Sequence, residues 1–188
     1  ASLCPKGGRN RKSHPPKIDW RDKTGDTVRI RSENADILSH VEVFADLTKD
    51  ELKGIAKECH HISFTEGETL IEMGKPPTGF FVLTRGQVKV VLPEQVEGAR
   101  DRRASKIVLN VLKEGDCFGE YSLIENSRGS ASVIASQPGA GLKLEKKAFE
   151  ALMNNDRIGK TVYRNLLRIL IRRLRKKEAE LDLVLIAG

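Results

Sequence analysis

Phe118-Gly119-Glu120-Tyr121-Ser122-Leu123-Ile124-Glu125-Asn126-Ser127-Arg128-Gly129-Ser130-Ala131-Ser132-Val133 is the stretch whose reading decides this chain. A Gly-Glu pair opens a short turn, Arg128 stands eight residues after Glu120, and a run of small residues leads into an apolar strand. These are the parts needed to hold a small anionic sugar phosphate. Glycine lets the backbone come close and donate N–H groups. A carboxylate accepts from ribose hydroxyls, and a guanidinium neutralises phosphate bidentately. Alone, the pattern is weak, because Glu and Arg are the default surface residues. The surrounding sequence gives it weight.

From His61 to Lys143 short runs of β-branched and aromatic residues alternate with turns at Gly67, Gly74–Pro77, Gly86, Gly98, Gly115, Asn126–Gly129 and Pro138–Gly141. Strands at that spacing predict a small antiparallel sandwich or barrel rather than a parallel sheet. Upstream, the spacing of Ile37, Val41 and Phe44 predicts a short helix around Glu33–His40. Thr48-Lys49-Asp50-Glu51 reads as a capping box that opens a second helix with Leu52, Ile55 and Ala56 inward. Downstream, Lys147–Met153 suits a short helix, and Asn155 or Asp156 can cap a long one over residues 156–188. There Ile158, Val162, Leu166, Leu170, Leu174, Leu181 and Leu185 recur mostly four apart, a packing or dimer seam. Residues 1–31, rich in Lys, Arg, Gly and Pro around Trp20, read as a flexible basic arm, leaving residues 32–155 as the central domain.

The cassette at 118–133 resembles the phosphate-binding cassette of cyclic nucleotide-binding domains, the family of cyclic-AMP-dependent kinase regulatory subunits, bacterial catabolite activators and cyclic-nucleotide-gated channels. The likeness runs from about Val41 to about Lys177 and includes order as well as motif. Val43-Phe44-Ala45-Asp46-Leu47-Thr48-Lys49-Asp50-Glu51-Leu52 resembles the family's opening helix, and Phe64-Thr65-Glu66-Gly67-Glu68-Thr69-Leu70-Ile71 with Gly74 its first hairpin. Phe81-Val82-Leu83-Thr84-Arg85-Gly86-Gln87-Val88-Lys89-Val90 is similar to its strand, glycine turn, strand signature.

That resemblance implies a mainly β fold: an antiparallel, jelly-roll-like β-roll with N-terminal helices and a long C-terminal helix. It implies that Gly119 and Glu120 bind the cyclic phosphate and the ribose 2′-hydroxyl, flanked by Phe118, Tyr121, Ser122, Ser130 and Ala131, with Ser132 on the family's hydrogen-bonding Ser/Thr. The phosphate-neutralising Arg does not align cleanly, because a gapless register puts Gly129 where it belongs and Arg128 one residue early. Two arrangements remain open: Gly129 lets the chain bulge so that Arg128 still reaches phosphate, or the site has lost its cation. In the family the last helix closes over the base or pairs with its twin, and Tyr163 and Leu166 are candidates to stack on the base or to be core. Cyclic AMP is favoured over cyclic GMP by frequency in the family, although Ser130 stands where guanine-selective relatives often carry Ser or Thr. The implied partners are the cyclic nucleotide and an effector protein or a second copy of the chain.

With 39% apolar and 31% charged residues the composition is that of a water-soluble globular protein, and no apolar run approaches the ~18 residues of a membrane span. Cys4, Cys59 and Cys117 form no C-x-x-C pair, which points away from zinc or iron–sulfur and towards a reduced cytoplasmic setting. The net charge of +7 lies at the ends: nine Lys/Arg against four Asp/Glu in residues 1–35, the same in 156–188, and a slightly acidic centre. That pattern suits basic extensions on a binding module, not a nucleic-acid groove. Arg102-Arg103-Ala104-Ser105 has the form of a basophilic kinase substrate, a short match that a solvated loop equally explains. No nucleophile with its base, acid–base pair or metal motif is evident among the residues, so the expectation is a sensor without cofactor, not an enzyme. The alternative is a degenerate fold of the same kind, serving as an interaction module.

Overall fold

The computed structural model describes residues 26–76, 78–94 and 105–187. Trp20 and residues 102–104 of the basic quartet lie outside the described residues. The chain runs α1 (Asp26–Ser39), a 3-10 turn (Glu42–Phe44), α2 (Lys49–Glu58), then β1 (Cys59–Phe64), β2 (Thr69–Ile71), β3 (Gly79–Arg85) and β4 (Gln87–Leu92). It continues through β5 (Ile107–Lys113), β6 (Cys117–Phe118), α3 (Glu120–Ile124), β7 (Ser132–Ala135), β8 (Gly139–Glu145), α4 (Lys146–Met153) and α5 (Asp156–Ala187). The eight strands form two four-stranded sheets, ordered β1-β8-β3-β6 and β2-β7-β4-β5, and every pairing is antiparallel. The expected β-roll with flanking helices and a long last helix is therefore the observed fold. The backbone is already helical from Asp26, inside the stretch read as a flexible arm.

Strand alternation builds two cores. On β3, Phe80 and Val82 point to the helices while Phe81 and Leu83 point between the sheets, the period-2 consequence of the pleat. The helix-side core gathers Phe80, Leu142, Leu144, Phe149, Ile55, Leu38 and the inner face of α5. The inter-sheet core joins Phe64, Phe81, Phe118, Val88, Leu112 and Val133. Phe81 and Phe118 stack with centroids 4.8 Å apart and planes 2° from parallel, which anchors the start of the cassette.

The capping box forms as read: Glu51 N–H donates to Thr48 Oγ1 and Thr48 N–H donates to the Glu51 carboxylate at 2.7 Å. The same carboxylate receives Arg157 Nε at 2.6 Å, so one side chain both caps α2 and tethers the start of α5. Arg157 and the capping bonds hold Glu51 well below the usual carboxylate range, at about 2. Asn155 caps α5, its Oδ1 accepting from Ile158 N–H at 3.1 Å.

The packed face of α5 is Ile158, Val162, Leu166 and Ile169, whereas Leu174 and Leu181 are exposed. The seam of four-residue steps therefore does not stay on the core. Each step turns about 400° at 3.6 residues per turn, so the row drifts around the helix and a three-residue step to Ile169 brings it back.

Candidate functional site

The cassette is shaped by its first glycine. Gly119 adopts φ +90°, and a Cβ there would lie 2.5 Å from the Gly79 carbonyl and close on Phe81 and Ile71. That conformation turns the chain from β6 straight into the single turn of α3 and buries Glu120, whose exposure is 2%. The segment after α3 is stitched to the turn that follows β2. Gly129 N–H donates to Lys75 carbonyl at 2.9 Å, and Gly129 carbonyl accepts from Gly74 N–H at 2.8 Å. Ser132 Oγ accepts from Met73 N–H at 3.0 Å.

A buried carboxylate is costly unless partnered. The partner of Glu120 comes from α5: Arg173 Nη1 donates to Glu120 Oε1 at 2.9 Å, and Arg173 Nη2 donates to Cys117 carbonyl at 2.8 Å. Burial raises the Glu120 carboxyl above its ordinary range, and the Arg173 charge and hydrogen bond pull in the opposite direction. Cys117, fully buried at the cassette entrance, has its thiol pushed up by burial, in keeping with a small core hydrophobe.

Between the cassette, strands β4 and β5 and the overlying α5 lies a cavity of about 550 Å³. Its volume suits a nucleotide-sized ligand. Apolar walls come from Ile71, Val90, Leu109, Val133, Ile169 and Leu170, and Glu120 carries a carboxylate on its wall.

Residues 61–156 match the family model of the cyclic nucleotide-binding domain. The chain belongs to the cyclic nucleotide-binding domain family. It is 33% identical over 125 residues to the cGMP-dependent protein kinase egl-4 of Caenorhabditis briggsae, a match covering 66% of this chain and 16% of that protein. The chain thus spans about a sixth of the length of that relative. Among solved structures it resembles the regulatory domain of Toxoplasma gondii PKA, crystallised with cAMP (TM-score 0.61, 24% identity, 81% of this chain and 51% of that one). It also resembles the regulatory subunit of a cAMP-independent protein kinase A from Trypanosoma cruzi, bound to guanosine (TM-score 0.66, 21% identity, 84% and 52% covered). At those identities the likeness is one of fold.

Within this cyclic nucleotide-binding fold, the cavity brings together Phe118, Gly119, Glu120, Tyr121, Ser122, Gly129, Ser130 and Ala131. Four candidates stand elsewhere. Arg128 is exposed, outside the lining, and donates through Nη1 to Gly74 carbonyl at 3.0 Å. Ser132 is buried behind the wall with its hydroxyl engaged by Met73. Tyr163, 44% exposed, does not line the cavity, and Leu166 is core. Residue order on a helix did not reveal that Ile169, Leu170, Arg173 and Leu174 would face the site instead. The signal available was the charge of the 157–177 stretch, which contains no acid.

Among the described residues no group of His, Cys, Asp and Glu could hold a metal ion, and no helix is long and apolar enough to cross a membrane.

Proposed function

We propose that this domain is a non-enzymatic cyclic nucleotide sensor whose ligand, cyclic AMP or cyclic GMP, sits between the cassette and α5 and biases the position of that helix. The observation that carries this reading is the Glu120–Arg173 pair. The carboxylate placed to accept ribose hydroxyls is partnered by the helix that covers the cavity, so any ligand that alters one contact acts on the other. A ligand shifts the helix only by its differential affinity for the two helix positions, and the coupling is reciprocal. The output passes to an effector or a second copy through the exposed residues Leu167, Ile171 and Leu181 on α5. This reading places the protein in the cytoplasm.

Thermal unfolding with 1 mM cyclic AMP or cyclic GMP tests it. A ligand present at ~100 times its dissociation constant adds about 2.7 kcal/mol of stability, a clear rise in Tm. The Glu120→Ala variant should lose that rise. Absence of any rise with both nucleotides would favour a second reading, an interaction module with an idle cassette, for which the outward turn of Arg128 speaks.

A further inference from the structure

In this site the cassette supplies a glycine-lined wall and a carboxylate but no cation. Arg128 is turned away from the cavity: its Nη1 donates to Gly74 carbonyl, and the backbone of the adjacent Gly129 is held by two hydrogen bonds to residues 74 and 75. The cavity is nonetheless basic. Lys113, Arg172, Arg173, Lys176 and Lys177 line it, against the carboxylates of Asp116 and Glu120. All but Lys113 lie on α5. Arg172 is committed to Glu42, and Lys177 to Glu180 at 2.5 Å. Arg173 is the one of these that touches the cassette, with its side chain 20% exposed. A guanidinium has five N–H donors, and the bonds to Glu120 and Cys117 use two of them.

We propose that Arg173 is the cation that receives the ligand's phosphate, in place of an arginine of the cassette, while it keeps Glu120 aimed at the ribose. The inference rests on the cyclic nucleotide reading above and adds which residue reads the charge. It has a mechanical consequence. A cassette arginine belongs to the β-roll, so its bond to phosphate would not by itself reach α5. An arginine on the covering helix makes phosphate charge itself pull α5 onto the cavity. The parent nucleoside would enter the same cavity and act on α5 only through the ribose contact to Glu120.

Titration calorimetry on the full 188-residue chain tests the assignment, with cyclic AMP, cyclic GMP, adenosine and guanosine as probes. The readout is the affinity ratio of each cyclic nucleotide to its nucleoside, which isolates the phosphate from any general damage to the ribose contact. Wild type should show a ratio of about tenfold or more, the scale of a charge-assisted hydrogen bond. Arg128→Ala should keep that ratio within about twofold on the same scale. Arg173→Met should bring it near unity, and Arg173→Lys, which keeps the charge and guards against a folding artefact, should restore part of it. A ratio that collapses in Arg128→Ala, or survives in Arg173→Met, overturns the assignment. So does a wild type that binds nucleoside and nucleotide equally, since the pocket then ignores phosphate. Failure of wild type to bind all four probes would instead overturn the ligand reading itself, and this inference with it.

Discussion

Asn165 is where the hold of the N-terminal segment on α5 can be measured. It lies on the buried face of the helix, 2% exposed, and its Nδ2 donates to Val43 carbonyl at 3.2 Å and to Ala45 carbonyl at 2.8 Å. Those carbonyls belong to the 3-10 turn and its exit, so one amide bridges α5 to the segment before the β-roll. Asn165→Leu keeps the branched shape and the number of heavy atoms, and removes both donors. Each lost bond is worth about 1 kcal/mol net, and leaving the buried Val43 acceptor unsatisfied adds about 1 kcal/mol more. The expected loss is about 3 kcal/mol, and a domain of this size gives up about 2–4 °C of Tm per kcal/mol, hence about 6–12 °C. Differential scanning calorimetry measures it directly. Asn165→Ala should lose less, because the space it opens admits a water to the carbonyls. A drop below about 2 °C in Asn165→Leu would show that this bridge does not hold α5, and the coupling argument would lose its mechanical footing.

Glu120→Gln should weaken cyclic nucleotide binding about tenfold or more, as a charge-assisted acceptor becomes a neutral one. Without ligand at pH 7 the same variant should be no less stable than wild type, because burial raises the carboxyl of Glu120 in the folded state and its ionisation works against folding. The sign for a raised acid is that this cost is absent below the unfolded value, about 4.3, and is felt in full once pH passes the folded value. The Tm gap between the two proteins should accordingly close on acidification, and a gap that widens refutes the assignment. Gly119→Ala must place a side chain at φ +90° against the Gly79 carbonyl, and should cost at least ~1–2 kcal/mol in urea unfolding. Glu42→Gln removes the exposed partner of Arg172, a pair worth at most about 1 kcal/mol. Tm should barely change, but ligand affinity should fall by up to about fivefold, because Arg172 and Arg173 are consecutive on α5; unchanged affinity would mean that the two tethers act independently.

Much of the fold is written locally. Thr48 and Glu51 are three residues apart, and the capping box they spell out forms in the structure. Gly67, Gly74, Gly86, Gly115 and Gly119 all take positive φ, so the turn pattern that separated the strands reflects backbone geometry that glycine adopts without penalty. The Gly-Glu pair lines the cavity, because Gly119 sets the turn and Glu120 is the next residue. The early start of α1 was not legible: residues 26–31 read as Thr, Val, Arg and Ile among charges, without a periodic apolar face long enough to separate helix from arm.

What the sequence determined by itself was the family, the strand and turn order, and the presence of a carboxylate at a glycine-bent cassette, all properties of residues a few positions apart. Tertiary structure decided the electrostatics of the site. Arg128 is drawn to a carbonyl 54 positions away and Arg173 reaches a carboxylate 53 positions away. Both outcomes depend on how the helix and the turn after β2 pack against the β-roll. The register of a cassette states which cation is near in the chain; the docking of α5 settles which cation is near in space.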